Sequence, residues 1–106
     1  MFGTIEVKLI ETLRVNDKLW GTAERIAHFD VWNIPQTGDN VILESPAIPF
    51  RVSYRKIKAC LDDSLQDVVL VMQTFLKANS SVEEREAVSG WAQRREECGW
   101  EVEIIK

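Results

Sequence analysis

From Ile5 onward apolar and charged residues take turns: Ile5, Val7 and Leu9 alternate with Glu6 and Lys8, and the pattern runs on through Thr12 and Leu13. A period of two sends successive side chains to opposite faces, so this segment predicts a strand with one wet face. Asn16-Asp17 follows as a turn, because short polar side chains bond the local backbone and tolerate the left-handed region. Residues 19–32 carry a mixed signal that leaves helix and strand both open. Leu19, Ala23, Ile26 and Asp30 make a poor helical face, whereas Ile26, His28 and Asp30 against Ala27, Phe29 and Val31 fit a strand. The strand is favoured, from Glu24 to Trp32.

Pro35-Gln36-Thr37-Gly38-Asp39 is the clearest punctuation in the chain, since Pro fixes φ and Gly supplies a positive φ. Together with Val41 and Leu43 it looks like a turn common in small β-barrels. Val41, Ile42 and Leu43 predict a short strand, and Ser45-Pro46-Ala47-Ile48-Pro49 a second turn at a sheet end or edge. Phe50, Val52 and Tyr54 then alternate with Arg51, Ser53 and Arg55. After Arg55 the phase slips to Ile57 and Ala59, which predicts a β-bulge. Asp62-Asp63-Ser64 is a polar turn. Val68 to Met72 is apolar at every position and predicts a strand buried on both faces at the centre of the sheet.

The one clear helix begins at Ser80. A Ser N-cap satisfies an orphan N–H, and Glu83 at the third helical position completes a capping box. Val88, Trp91, Ala92, Arg95 and Cys98 recur at three- and four-residue spacing, and Gly99 is a natural stop. Glu101, Glu103 and Lys106 against Val102 and Ile104 predict a final strand. The expected fold is a single α+β domain over residues 1–106. It has a small, strongly bent antiparallel sheet or partly open β-barrel of about five to six strands. One C-terminal helix and a short final strand follow.

Composition adds three things. Hydrophobic residues at 45% and charged residues at 28% suit a folded domain rather than a disordered one. The net charge of −4 weakly repels nucleic acid and anionic membranes. No window approaches the roughly 20 apolar residues that span a bilayer, and residues 1–10 lack the apolar run of a signal peptide. Cys60 and Cys98 make no disulfide framework. Cytoplasmic residence with reduced thiols and no membrane association is expected.

Candidate chemistry is sparse. His28 and Asp30 share a strand face, so a small enzyme using that pair is one reading, although a half-exposed strand histidine is the simpler one. No metal and no cofactor is expected. One His and two distant Cys fall short of a structural zinc set, and Asp62, Asp63 and Asp67 lack the spacing of a calcium loop. Cys60 precedes two aspartates and Cys98 lies near a helix C-terminus; both settings disfavour a thiolate, so both read as small buried hydrophobes. The glycines are scattered singly, with no phosphate-binding loop.

Arg51, Arg55, Lys56 and Lys58, with Ser53 and Tyr54 between them, could hold single-stranded nucleic acid by phosphate contact and stacking. Arg51, Ser53 and Arg55 would share one face. A wet sheet face opposite the acid-rich C-terminal segment is the preferred alternative. Trp91 reads as core, in phase with Val88, and Trp100 as a seal on the helix end. Trp20 and Trp32 read as candidates for a pocket or a partner interface, where Trp is enriched. By elimination the function expected is that of a non-catalytic binding or interaction module. It would be a homodimer, because a small sheet leaves edges to cover. A protein or small-molecule partner is compatible with this, and nucleic acid is less favoured. The binding candidates are Trp20, Trp32, Arg51, Tyr54 and Arg55. The helix start gives the first test: Ser80→Ala should cost about 1 kcal/mol, read as a lower urea midpoint, and an unchanged midpoint removes the cap.

Overall fold

The computed structural model describes residues 3–30, 32–42, 49–59 and 66–105. Among them the chain is α+β, in the order β1 (Thr4–Val15), β2 (Lys18–Asp30), β3 (Asn40–Ile42), β4 (Pro49–Arg51), β5 (Tyr54–Ala59), β6 (Gln66–Leu76), α1 (Ser81–Glu97) and β7 (Glu101–Ile104). The expectations for Cys60, for the Asp62-Asp63-Ser64 turn and for residues 43–48 lie outside the described residues.

A five-stranded sheet has the order β5-β6-β1-β2-β7, and β3 pairs with β4 in a separate two-stranded sheet. β5 pairs antiparallel with β6, and β2 with β7. β1 and β2 are joined by the two residues Asn16 and Asp17, both at positive φ, which fits an antiparallel hairpin with a primed turn. The sheet is nonetheless mixed, so the parallel pair is β6 with β1. The purely antiparallel sheet expected from the short turns is corrected here: the connection from β1 to β6 is long, and long connections permit parallel neighbours. The sheet does not close into a barrel.

Three further expectations change. β2 begins at Lys18 rather than Glu24, because the turn hands the chain straight back and leaves no room for a loop. The irregularity near Arg55 falls instead at Val52-Ser53, where the chain leaves β4 and enters β5; the alternation of Phe50, Val52 and Tyr54 therefore spans two sheets. The centre of the large sheet is β1. β6 is an interior strand in which Val68, Leu70 and Val71 are buried while Val69 and Met72 are half-buried.

The chain divides into two compact units. One comprises Met1–Leu9 and Ile26–Met72, and its buried side chains include Val7, Leu9, Phe50, Val52 and Leu70. Its turn at Gln36–Asp39 works as expected: Gly38 sits at φ +92°, and the Asp39 carboxylate accepts from the Gln36 N–H at 2.8 Å.

The other comprises Ile10–Arg25 and Gln73–Lys106, with Leu13, Val15, Trp20, Ala23, Val88, Trp91 and Trp100 buried. Here α1 is fixed at both ends. Ser80 accepts from the Glu83 N–H at 3.2 Å, and Glu83 reaches back to the Asn79 N–H at 2.8 Å. Asn16 docks the hairpin turn onto the approach to the helix: its carboxamide donates to the Ala78 carbonyl and accepts from the Ala78 N–H, and it also donates to Glu84. At the other end the Trp100 N–H bonds the Arg95 carbonyl and the Gly99 N–H that of Glu96, with Gly99 at φ +85°. That is a Schellman ending, whose positive-φ residue is preferably glycine.

Gly21 in β2 is the point where α1 and β7 crowd the strand. A Cβ there would lie 3.0 Å from the Glu103 carbonyl oxygen and 3.2 Å from the Trp91 ring. An alanine normally helps a strand, so the sign of its effect here is diagnostic. Gly21→Ala should destabilise by roughly 1–3 kcal/mol through overpacking, measured by urea unfolding; a neutral or stabilising result would show that Trp91 does not press on β2.

Candidate functional site

Among the described residues one acidic side chain is wholly buried. Along β1 the odd positions Val7, Leu9, Leu13 and Val15 are fully covered, and Glu11 falls in the same register. Its side chain is 0% exposed, and it forms a two-pronged ion pair with Arg95 of α1, whose side chain is 14% exposed. The Thr74 hydroxyl donates to the same carboxylate at 2.6 Å. Bidentate pairing with a hydroxyl on a remaining lone pair supplies a buried carboxylate with the partners that water would otherwise give. Both oxygens are occupied, so this cluster reads as an anchor for α1 rather than a reactive centre. Its signal was present in the sequence as a lone acid in the apolar phase of a strand and a lone base in the apolar phase of a helix.

The same helix borders a groove of about 410 Å³. The strands contribute Trp20 and Ile104; α1 contributes Val88, Ser89 and Ala92, with Arg85, Gln93 and Glu96 along its rim. Ile104 and the following Ile105 are 44% and 50% exposed, on or next to the edge strand β7. The Ile105 N–H bonds the Trp20 carbonyl at 2.9 Å, which holds this end of the chain against the tryptophan. The surface is apolar in its middle and charged at its ends.

The other unit carries an open cleft of about 380 Å³ around Trp32, lined also by Asn33, Pro35, Gln36 and Asn40. Trp32 is 76% exposed. The structure thus separates the two candidate tryptophans: Trp20 is buried with one side lining the groove, and Trp32 stands in solvent.

Among the described residues no hydrogen bond or ion pair joins the catalytic candidates His28 and Asp30. The His28 Nε2 lies 3.5 Å from the Glu6 carboxylate, with both side chains well exposed. Asp30 accepts from the Trp32 N–H and so shapes the turn out of β2. Arg51, Tyr54, Arg55 and Lys56 are all exposed, with the Lys56 ammonium 5.7 Å from the Tyr54 ring centre. The single basic face expected over Arg51, Ser53 and Arg55 is not formed, because Arg51 belongs to β4 and Arg55 to β5, in different sheets. On β5 the charges sit at a sheet edge, where they discourage edge pairing. Cys98 is a free thiol, half-buried, and its carbonyl accepts from Arg25 at 3.3 Å.

Among the described residues no group of three or more His, Cys, Asp or Glu is placed to hold a metal ion, and no helix is long and apolar enough to cross a membrane. Neither protein families nor curated proteins nor solved structures give a match to this chain. The ion pair yields a sharp expectation. Arg95→Ala leaves a buried carboxylate unpaired and should cost about 3–5 kcal/mol. The double replacement Glu11→Leu with Arg95→Met removes both charges and should recover most of that loss, as followed by thermal unfolding.

Proposed function

We propose that this chain is a non-catalytic interaction module that pairs with a second copy of itself through the groove between Trp20, Ile104 and α1. One observation carries the reading: the aliphatic side chain of Ile104 is left half in water beside Trp20, on a surface that already has the concavity of a binding site, and the following Ile105 is half exposed as well. Covering a wholly exposed isoleucine gains about 1.5–3 kcal/mol, so two half-exposed ones supply a worthwhile fraction of that to any complex. Aromatic and aliphatic residues at the centre of a patch with charges at its rim match the anatomy of protein interfaces.

The reading extends to a homodimer resident in the cytoplasm. A free Cys98 is compatible with a reducing compartment, and the acidic net charge of −4 suits a soluble partner-binding domain better than a nucleic-acid binder. The test is sedimentation equilibrium. The wild-type protein should sediment at twice the chain mass of 12.2 kDa at micromolar concentration, and Ile104→Asp at the chain mass itself. A wild-type protein that stays at 12.2 kDa across a wide concentration range overturns self-association.

A further inference from the structure

Building on that self-association, we infer that the two copies meet through α1, packed antiparallel against its own copy about a two-fold axis that passes between Ser89 and Ala92. The helix turns about 100° per residue, so positions spaced four, three and four apart share one stripe. Arg85, Ser89, Ala92 and Glu96 have that spacing, and all four border the groove. Arg85, Ser89 and Glu96 are exposed and Ala92 is half-buried. The stripe is distinct from the face that α1 buries in its own unit, which carries Val88, Trp91 and Arg95.

The order of side chains along this stripe selects the occupant. A cation stands at one end, an anion at the other, about 16 Å away at ~1.5 Å per residue, and two small residues lie between. The midpoint of Arg85 and Glu96 is also the midpoint of Ser89 and Ala92. A two-fold axis at that point brings Arg85 onto the partner's Glu96 and Glu96 onto the partner's Arg85, while Ser89 faces the partner's Ala92 and permits close approach of the backbones. Two ion pairs form, and the helix dipoles run in opposite directions. A parallel arrangement would instead oppose Arg85 to Arg85. An isologous contact needs a patch that is complementary to itself, and this stripe is.

The β7 edge beside the groove offers no such match. β7 paired with its own copy about Val102 sets Glu101 against the partner's Glu103, and the neighbouring register sets Glu101 against Ile104. The first register sets like charges directly opposite, which is unfavourable in a sheet, and the second sets each acid against an apolar residue with no ion pair gained, so helix packing is the route that the charges favour.

The experiment is a charge exchange followed by sedimentation equilibrium at low and at moderate salt. Arg85→Glu makes both ends of the stripe acidic, and Glu96→Arg makes both basic. Each variant alone should dimerise roughly tenfold or more weakly than wild type. An equimolar mixture of the two should form a heterodimer at least as tight as the wild-type dimer, and the doubly exchanged Arg85→Glu/Glu96→Arg chain should dimerise like wild type. Both side chains are exposed, and circular dichroism of each variant checks that α1 is intact. Single variants that dimerise like wild type, or a mixture that does not recover binding, overturn the α1 contact while leaving self-association standing. A monomeric wild type removes self-association itself, and the α1 contact with it. Dimers of the wild type that persist in Ile104→Asp but vanish in Arg85→Glu would favour the helix contact over the rest of the groove.

Discussion

A carboxylate with no solvent exposure must have its partner in place, and Glu11 makes that demand from the middle of the most covered strand in its unit. Among the described residues Arg95 of α1 answers it with a cation, and Thr74 of β6 adds a hydroxyl. The register of the helix along β1 follows from this. One turn away lie Trp91, Ala92, Cys98 and Gly99, none of which can neutralise a carboxylate. A rotation by one residue toward Glu96 would set two acids together. Breaking a buried pair costs far more than replacing it with apolar groups, so the pair is best understood as fixing which way the helix faces.

The other devices around α1 agree with that placement. Ser80 and Glu83 close its first turn, Asn16 ties its approach to the hairpin, and Gly99 ends it so that Trp100 turns inward. Gly21 admits the Trp91 ring against β2. Once Arg95 is turned toward β1, the adjacent stripe that begins at Arg85 is turned toward solvent, and Trp20 with Ile104 forms the other wall of the groove. The groove proposed as an interface is therefore a by-product of how one buried carboxylate is satisfied.

Much of the architecture was legible in the residues. The alternation around Val7 and Leu9, the Asn16-Asp17 turn, the Pro35–Asp39 punctuation, the Ser80 cap and the Gly99 stop are all local signals, and each has a local physical cause. What was hidden was pairing. Nothing near Phe50 and Tyr54 in the sequence says that one belongs to β4 and the other to β5, because only Val52 and Ser53 separate the two strands while β4 pairs back to β3 and β5 forward to β6. The same holds for Glu11 and Arg95: each is an oddity in its own segment, and only the fold shows that the two oddities cancel. For the site, Trp20 was legible as a candidate, but Ile104 and the Arg85–Glu96 stripe were not, since a final strand and a wet helix face give no hint of the concavity between them. His28 and Asp30 show the limit of face sharing, as Asp30 is taken up by the turn at Trp32.

The parallel neighbourhood of β1 and β6 has a consequence for the chain as it is made. Synthesis runs from the N-terminus, so β1 and β2 can pair as a hairpin while one flank of β1 still waits for residues 66–76, and its covered face still waits for α1. During that interval an apolar strand stands with an open flank, a template for unwanted pairing with other chains. Glu11 sits in the middle of its apolar phase. An inward-pointing charge is one of the known guards of exposed strands, because it resists burial against anything that lacks a cation. The residue that later locks the helix in place can thus protect the nascent hairpin until Arg95 has left the ribosome.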